Sequence, residues 1–146
     1  MKSFVALIFI MMIFETAFAV KTLKLKSLFA SKSFLVEGNI LLPQGQKLNK
    51  TAPSNITVLE KIDGQWKEVT KIELTKVFTV SEEFPYSFPV HTQSNDSPIK
   101  ITASLYHCDK VKNNYCVIDD FEGEVKRSDK FSQKSLSIDL KGSSPK

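Results

Sequence analysis

Short segments in which apolar and polar residues alternate run through most of the chain. Side chains of a β-strand point alternately to the two faces of a sheet, so this pattern is typical of strands with one face in a core. No segment keeps a helical spacing of apolar residues for three turns. The pattern predicts strands at 22–28, 34–42, 56–62, 66–74, 77–80, 86–90, 99–108, 115–126 and 135–140. This spacing indicates an all-β fold, an immunoglobulin-like β-sandwich of about seven to nine strands.

Turn residues predict how some of these strands pair. Asp63-Gly64 is a strong signal for a two-residue hairpin turn, because both turn positions favour positive φ. The turn predicts the opposed pairs Glu60–Lys67 and Val58–Val69. Pro85 and Pro89 cannot donate to a ladder, so the strand that holds them is predicted at a sheet edge or a bulge.

The only two cysteines, Cys108 and Cys116, lie on a second predicted hairpin. If they stand opposite each other, one face of the hairpin is largely polar and the other largely apolar. A slip of one residue would place acidic side chains against the apolar row. We therefore predict a disulfide across the hairpin, with the sulfurs on the polar face near solvent. In this register Leu105 opposite Asp119 is the one poor match, and His107 faces the core with Asp119 diagonally across.

The N-terminal residues have the features of a secretory signal peptide. Lys2 supplies the positive charge, 4–14 is an unbroken apolar run, and Ala17-Phe18-Ala19 is a small-x-small cleavage site. The run is too short for a membrane helix, which needs ~20 residues. We predict a secreted, extracellular protein without a membrane span, cleaved after Ala19. The predicted divisions are a signal peptide at 1–19, a β-sandwich domain at 20–140 and a flexible tail at 141–146.

Composition and charge exclude several classes of function. The 146 residues include two Cys, two His and five Gly, which excludes Cys-rich scaffolds, zinc fingers and Gly-rich phosphate loops. The net charge is +4, but the bases are scattered and Arg127 is the only arginine, whereas bidentate phosphate recognition prefers Arg. No nucleic acid is therefore predicted as a partner. The expected partner is an unknown protein or an acidic ligand, bound by a monomer, and the densest basic group is Lys21, Lys24 and Lys26.

Three sequons for N-glycosylation become relevant if the chain is exported. They begin at Asn49, Asn55 and Asn95. Asn49 or Asn55 is predicted to be modified, because both lie in what reads as a Pro- and Gly-flanked loop between strands. Asn95 is a weaker acceptor, because Pro98 follows closely.

Few side chains suggest catalysis. His107 and Asp119 could form half of a catalytic relay, but no motif places a nucleophile beside them. The acidic residues near the second cysteine could suggest calcium, yet alternation puts most of them on one outer face, opposite Lys100. That group is Asp119, Asp120, Glu122 and Glu124. We predict no metal, no cofactor and no enzymatic activity.

Two motifs resemble a known β-sandwich module. The first is Leu42-Pro43-Gln44-Gly45-Gln46-Lys47-Leu48-Asn49 followed by Ala52-Pro53-Ser54, and the second is Tyr106-His107-Cys108 followed by Cys116. Both resemble the C-terminal domain of NHL-repeat-containing thioredoxin-like proteins, which is similar to the immunoglobulin-like N-terminal domain of the bacterial thiol–disulfide interchange protein DsbD. The resemblance covers about 34–125 and implies the same fold. It also implies an electron-relaying role for Cys108 and Cys116.

Three functional hypotheses follow from these residues. The preferred one is a small secreted, non-enzymatic β-sandwich protein that acts as a binding or interaction module. The first alternative is a thiol–disulfide electron-relay domain that uses Cys108 and Cys116. The second alternative is a body-fluid, salivary or venom component whose target the sequence does not identify.

Overall fold

The structure is a computed structural model that describes residues 19–74, 82–111 and 115–144. The strands in these ranges are β1 (Val20–Thr22), β2 (Leu28–Phe29), β3 (Ser33–Leu41), β4 (Gln46–Leu48), β5 (Asn55–Ile62), β6 (Gln65–Glu73), β7 (Glu83–His91), β8 (Ile99–Asp109), β9 (Cys116–Val125), β10 (Arg127–Ser128), β11 (Ser135–Ser137) and β12 (Leu140–Lys141). The predicted strand at 77–80 and the predicted signal peptide up to residue 18 lie outside the described residues.

The strands form two main sheets and one short ladder. The larger sheet has the order β1-β9-β8-β5-β6, and β4 also pairs with β8. In the smaller sheet, β3 lies between β7 on one side and β11 and β12 on the other, and β10 pairs separately with β2. Parallel pairing joins β1 to β9 and joins β11 and β12 to β3. The predicted all-β sandwich with one disulfide across a hairpin is confirmed.

The core is built from the alternate, inward-facing residues of both sheets. The larger sheet contributes Ile56 and Val58 of β5 and Ile101 of β8, and the smaller sheet contributes Val36 and Ile40 of β3. All five side chains are buried. The polar residues that alternate with them remain on the outer faces, as a two-residue side-chain period requires.

The central strands, β3 and β5 to β9, follow the predicted boundaries, but the strands near the two ends of the described chain differ from the predictions. The predictions at 34–42, 56–62, 66–74, 86–90, 99–108 and 115–126 are confirmed as β3 and β5 to β9. The prediction at 22–28 is wrong, because only its two ends are in ladders, as β1 and β2. The strand predicted at 135–140 is divided, because the Asp139 carboxylate takes the Asn39 N–H at 2.9 Å where the ladder would continue.

The predicted registers are confirmed except at one bulge. Every pair of the cysteine hairpin is as predicted, from Ile99–Val125 to Cys108–Cys116. Pairing of Glu60 with Lys67 is also correct, and Asp63 and Gly64 have φ values of 53° and 77°, as the turn requires. The Val58–Val69 pair is wrong, because a bulge after Val58 shifts its partner to Thr70. Among described residues β7 pairs only with β3, so its prolines lie on an edge strand as predicted.

The segment assigned to a tail makes specific contacts with the sandwich. Lys141 lies in β12, and the Gly142 N–H donates to the carbonyl oxygen of Leu41 at 2.8 Å. The Ser143 N–H and hydroxyl both donate to Asp119, at 2.8 and 2.6 Å. Residues 141–144 are therefore packed against both sheets, and 145–146 lie outside the described residues.

Candidate functional site

The Cys108–Cys116 disulfide joins β8 and β9 directly across the hairpin. Cys108 is buried and Cys116 is half-buried, so the prediction that the sulfurs lie near solvent is wrong for Cys108. The reason is β4, which the sequence pattern does not reveal. It pairs with the free edge of β8 and sets Lys47 opposite Cys108. Just beyond β4, Asn49 Nδ2 donates to Cys108 Sγ at 3.2 Å.

His107, next to the bridge on the core face, is completely buried. Its Nε2 lies 2.8 Å from Asp119 Oδ2 and its Nδ1 lies 3.0 Å from Gln46 Oε1, which confirms the predicted diagonal His–Asp pair. The nearby Ser143 hydroxyl donates to Asp119 and not to the imidazole. In the described part of the chain the pair thus has the contacts of a buried polar cluster, and a substrate cannot reach the imidazole.

Asp119 is held as a carboxylate by donors from three segments. Its Oδ1 lies 2.9 Å from Lys21 Nζ of β1, in addition to the contacts with His107 and Ser143. Burial raises the pKa of Asp119, but the hydrogen bonds from Ser143, His107 and Lys21 outweigh it and hold the pKa well below the ordinary range. These donors explain the poor match with Leu105, because the carboxylate is satisfied by His107 of the hairpin and by Lys21 and Ser143 from outside it.

A second buried cluster, at the other end of the sandwich, was not predicted. Glu60 and the Arg127 side chain are fully buried, with Arg127 Nη2 3.4 Å from Glu60 Oε1. Glu60 also accepts the backbone N–H groups of Gln93 and Ser94, at 2.9 and 2.8 Å. Arg127 Nε donates to the carbonyl oxygen of Ser97 at 2.7 Å. Burial lowers the pKa of Arg127, and the charge of Glu60 opposes that shift.

The acidic residues of β9 are divided as predicted. Asp119 points inward, whereas Lys100 Nζ lies on the outer face, 3.2 Å from Glu122 Oε1 and 3.9 Å from Glu124 Oε1. Asp120 accepts the Ser104 hydroxyl. In the described ranges, no three His, Cys, Asp or Glu side chains are arranged to hold a metal ion.

The three sequons occupy different surroundings. Asn49 is half-buried, and its Oδ1 accepts the hydroxyl of Thr51 at 2.6 Å. Asn55 begins β5 and does not lie in a loop, and Thr57 of its sequon is buried. Asn95 is exposed in the loop between β7 and β8. The fold therefore leaves Asn95 the most open of the three.

A groove of about 640 Å³ lies between the N-terminal segment and the C-terminal segment, at one open side of the sandwich. Its apolar lining residues, which we call the floor, are Leu23, Leu25, Phe121 and Ile138. Its charged lining residues are Lys21, Lys24 and Lys141, which form its rim, and Asp139, whose carboxylate accepts the Asn39 N–H. We call this feature the lysine groove. The sequence places Lys21 and Lys24 together, but only the sheet topology adds Lys141.

The three lysines of the rim are not equivalent. Lys21 Nζ is fixed by Asp119 and by the carbonyl oxygen of Lys141 at 3.0 Å, and it lies 5.2 Å from the centre of the Phe121 ring. Lys24 and Lys141 are exposed, and their ammonium groups form no ion pair with another described residue. Lys21 therefore stabilises the fold, whereas the ammonium groups of Lys24 and Lys141 face solvent.

No protein-family model matches the chain, and no curated protein matches it in sequence. Within the described residues, none of the structure is a helix with the length and apolar character needed to cross a membrane. The function is therefore inferred from the geometry of this chain.

Proposed function

We propose that this chain is a small secreted, non-enzymatic β-sandwich protein that binds an acidic ligand or protein in the lysine groove. The groove carries the proposal. Its volume of about 640 Å³ is in the range of known ligand sites, and its lining combines apolar residues with exposed lysines. The burial of His107 and its use of Asp119 for packing support a role without catalysis.

Export is part of the proposal. The first strand of the described residues, β1, begins at Val20, which is the first residue after the predicted cleavage site. A formed disulfide is compatible with an oxidising, extracellular compartment, where such bonds persist. We expect the mature protein to be a soluble monomer that begins at Val20.

The disulfide has a structural role in this proposal. The register that closes it is the one that the hydrophobic and polar faces already favour, and β4 covers Cys108. In the chain-entropy model, a ring this small stabilises the fold by about 2.6 kcal/mol. The bridge therefore fixes the hairpin tip and is not required for the core to form.

An electron relay is the second candidate, and one contact favours it. The Asn49 amide that donates to Cys108 Sγ would also stabilise a thiolate there. A partner thiolate would then attack the half-buried Cys116 sulfur and release Cys108. The resemblance to the DsbD-type domain supports the same assignment, and the reduction potential separates the two candidates.

Anilinonaphthalene sulfonate, an anion with an apolar body, tests the groove directly. We expect saturable fluorescence enhancement with the native protein. Lys24→Glu with Lys141→Glu should weaken binding by about tenfold or more, which is the loss of roughly 1.4 kcal/mol. The control is Lys67→Glu with Lys71→Glu, which makes the same change in charge on β6 and should leave binding unaltered. Equal loss in both variants, or no saturation, contradicts the proposal.

We also expect secreted protein from a eukaryotic host to carry an N-glycan at Asn95. This side chain is exposed in a loop, whereas Asn49 is hydrogen-bonded to Cys108 Sγ and Asn55 lies in β5. Treatment with an amidase that removes N-glycans should increase electrophoretic mobility, and Asn95→Gln should abolish most of that shift. A shift that persists in Asn95→Gln and disappears in Asn49→Gln would assign the glycan to Asn49 instead.

A further inference from the structure

One side of the lysine groove is formed by β11 and β12, at an edge of the smaller sheet. Their backbone groups on the side away from β3 border the groove. The N–H groups of Ile138 and Gly142 each donate to a carbonyl oxygen of β3 at 2.8 Å. In a parallel ladder, alternate residues turn their backbone groups to opposite sides. By this alternation, Ser137, Asp139 and Lys141, which all line the groove, turn their backbone groups away from β3.

This edge has no strand beside it among the described residues, where β11 and β12 pair only with β3. One of its carbonyl groups, that of Lys141, accepts the Lys21 ammonium. The opposite edge of the same sheet, on β7, carries Pro85 and Pro89, which cannot donate to an added strand. The prolines of β7 therefore hinder the pairing of a further strand at one edge of this sheet. Within the described residues, the other edge, formed by β11 and β12 in the groove, has unpaired backbone groups that a further strand could bind; we call it the open edge.

The side chains around the open edge favour one kind of added strand. Successive side chains of an extended segment point to opposite sides. A segment lying in the groove would thus place one set against the half-buried Leu23 and Leu25 of the apolar floor, and the other set near Lys24 and Lys141. Acidic residues alternating with apolar residues complement both surfaces.

We infer that the lysine groove binds an extended acidic segment of a partner protein, which adds to the 137–141 edge as a further strand. Main-chain hydrogen bonds to the open edge would supply affinity, and the lysines and the apolar floor would supply specificity. The inference rests on the proposed function, because it names the ligand class for the same groove.

A synthetic peptide of about seven residues, alternating Glu and Val and blocked at both ends, is the probe. We expect it to bind the native protein, and we expect the same peptide with N-methyl groups on alternate amides to bind about tenfold or more weakly. N-methylation removes the donors of a strand without changing side chains or charge. A peptide alternating Lys and Val should not bind. Equal affinity for the methylated and unmethylated peptides would overturn strand addition.

A protein variant tests the same edge from the other side. Ser137→Pro removes an N–H that faces the groove and leaves the bonds from Ile138 and Gly142 to β3 in place. It should lose the Glu-Val peptide, with an unchanged melting temperature. If the dye binds to the wild-type protein but the peptide does not, the inference is wrong and the proposed function stands. If neither binds, both are wrong. If Ser137→Pro does not fold, the methylated peptide alone decides.

Discussion

Replacement of Arg127 by methionine is expected to lower the free energy of unfolding by about 3–5 kcal/mol, which is typical of breaking a buried ion pair. Methionine fills much of the space of the arginine side chain but leaves the Glu60 carboxylate buried without its cation. The substitution also releases the carbonyl oxygens of Ser31 and Ser97, which Arg127 binds at 2.8 and 2.7 Å. The loop between β7 and β8 therefore loses one of its anchors and keeps its backbone N–H bonds to Glu60.

Urea or guanidinium unfolding, followed by tryptophan fluorescence, measures this effect. Lys100→Met is the matched control, because it breaks an ion pair on the outer face and should change stability by at most about 1 kcal/mol. Glu60→Gln combined with Arg127→Met removes both charges and should recover part of the loss. If Arg127→Met and Lys100→Met were equally stable, the buried pair would not hold this end of the sandwich.

Replacement of Asp119 by alanine has the second largest expected effect, a loss of about 3 kcal/mol. The variant leaves His107 buried without a partner at Nε2. It also frees Lys21 of β1 and Ser143 of the C-terminal segment, which Asp119 holds against the hairpin. Asp120→Ala is the control, because it removes a single hydrogen bond from Ser104 on the outer face and should cost about 1 kcal/mol.

The same carboxylate predicts how stability depends on pH. Because folding lowers the pKa of Asp119, its stabilisation is complete above the unfolded pKa of about 3.9 and is lost as the pH falls toward the folded value. Wild-type protein should therefore lose stability steeply below about pH 4, and Asp119→Asn should lose it less steeply. Parallel pH profiles for the two proteins would contradict this assignment.

Strand register could be predicted from the sequence where one face of a strand is polar and the other apolar. The cysteine hairpin could be placed in register because only one alignment keeps acidic residues off the apolar face. The segment at 22–28 shows the limit of the same pattern. Its side chains do alternate between more and less exposed positions, with Leu23 and Leu25 packed on the core, yet only β1 and β2 at its ends join ladders. Alternation of apolar and polar residues shows that one side of a segment is buried. It does not show that the backbone of that segment pairs with another strand.

The polar clusters could not be predicted, because their members are distant in sequence. Glu60 was correctly placed opposite Lys67, but its side chain turns inward to Arg127, which β10 brings from the far end of the chain. One signal was available. A single arginine among nineteen lysines suggests a position that needs a weakly hydrated, multidentate cation, and burial beside a carboxylate is such a position.

The reduction potential of the Cys108–Cys116 pair in the folded protein tests most directly whether the bridge is structural or carries electrons. The burial of Cys108 and the hairpin register that both faces favour predict a potential below about −300 mV, as for structural disulfides of secreted proteins. Thioredoxin should then reduce the native protein only slowly in the absence of denaturant. A potential near about −200 mV, together with rapid reduction of the native protein, would contradict the account and make this domain an electron-transfer module.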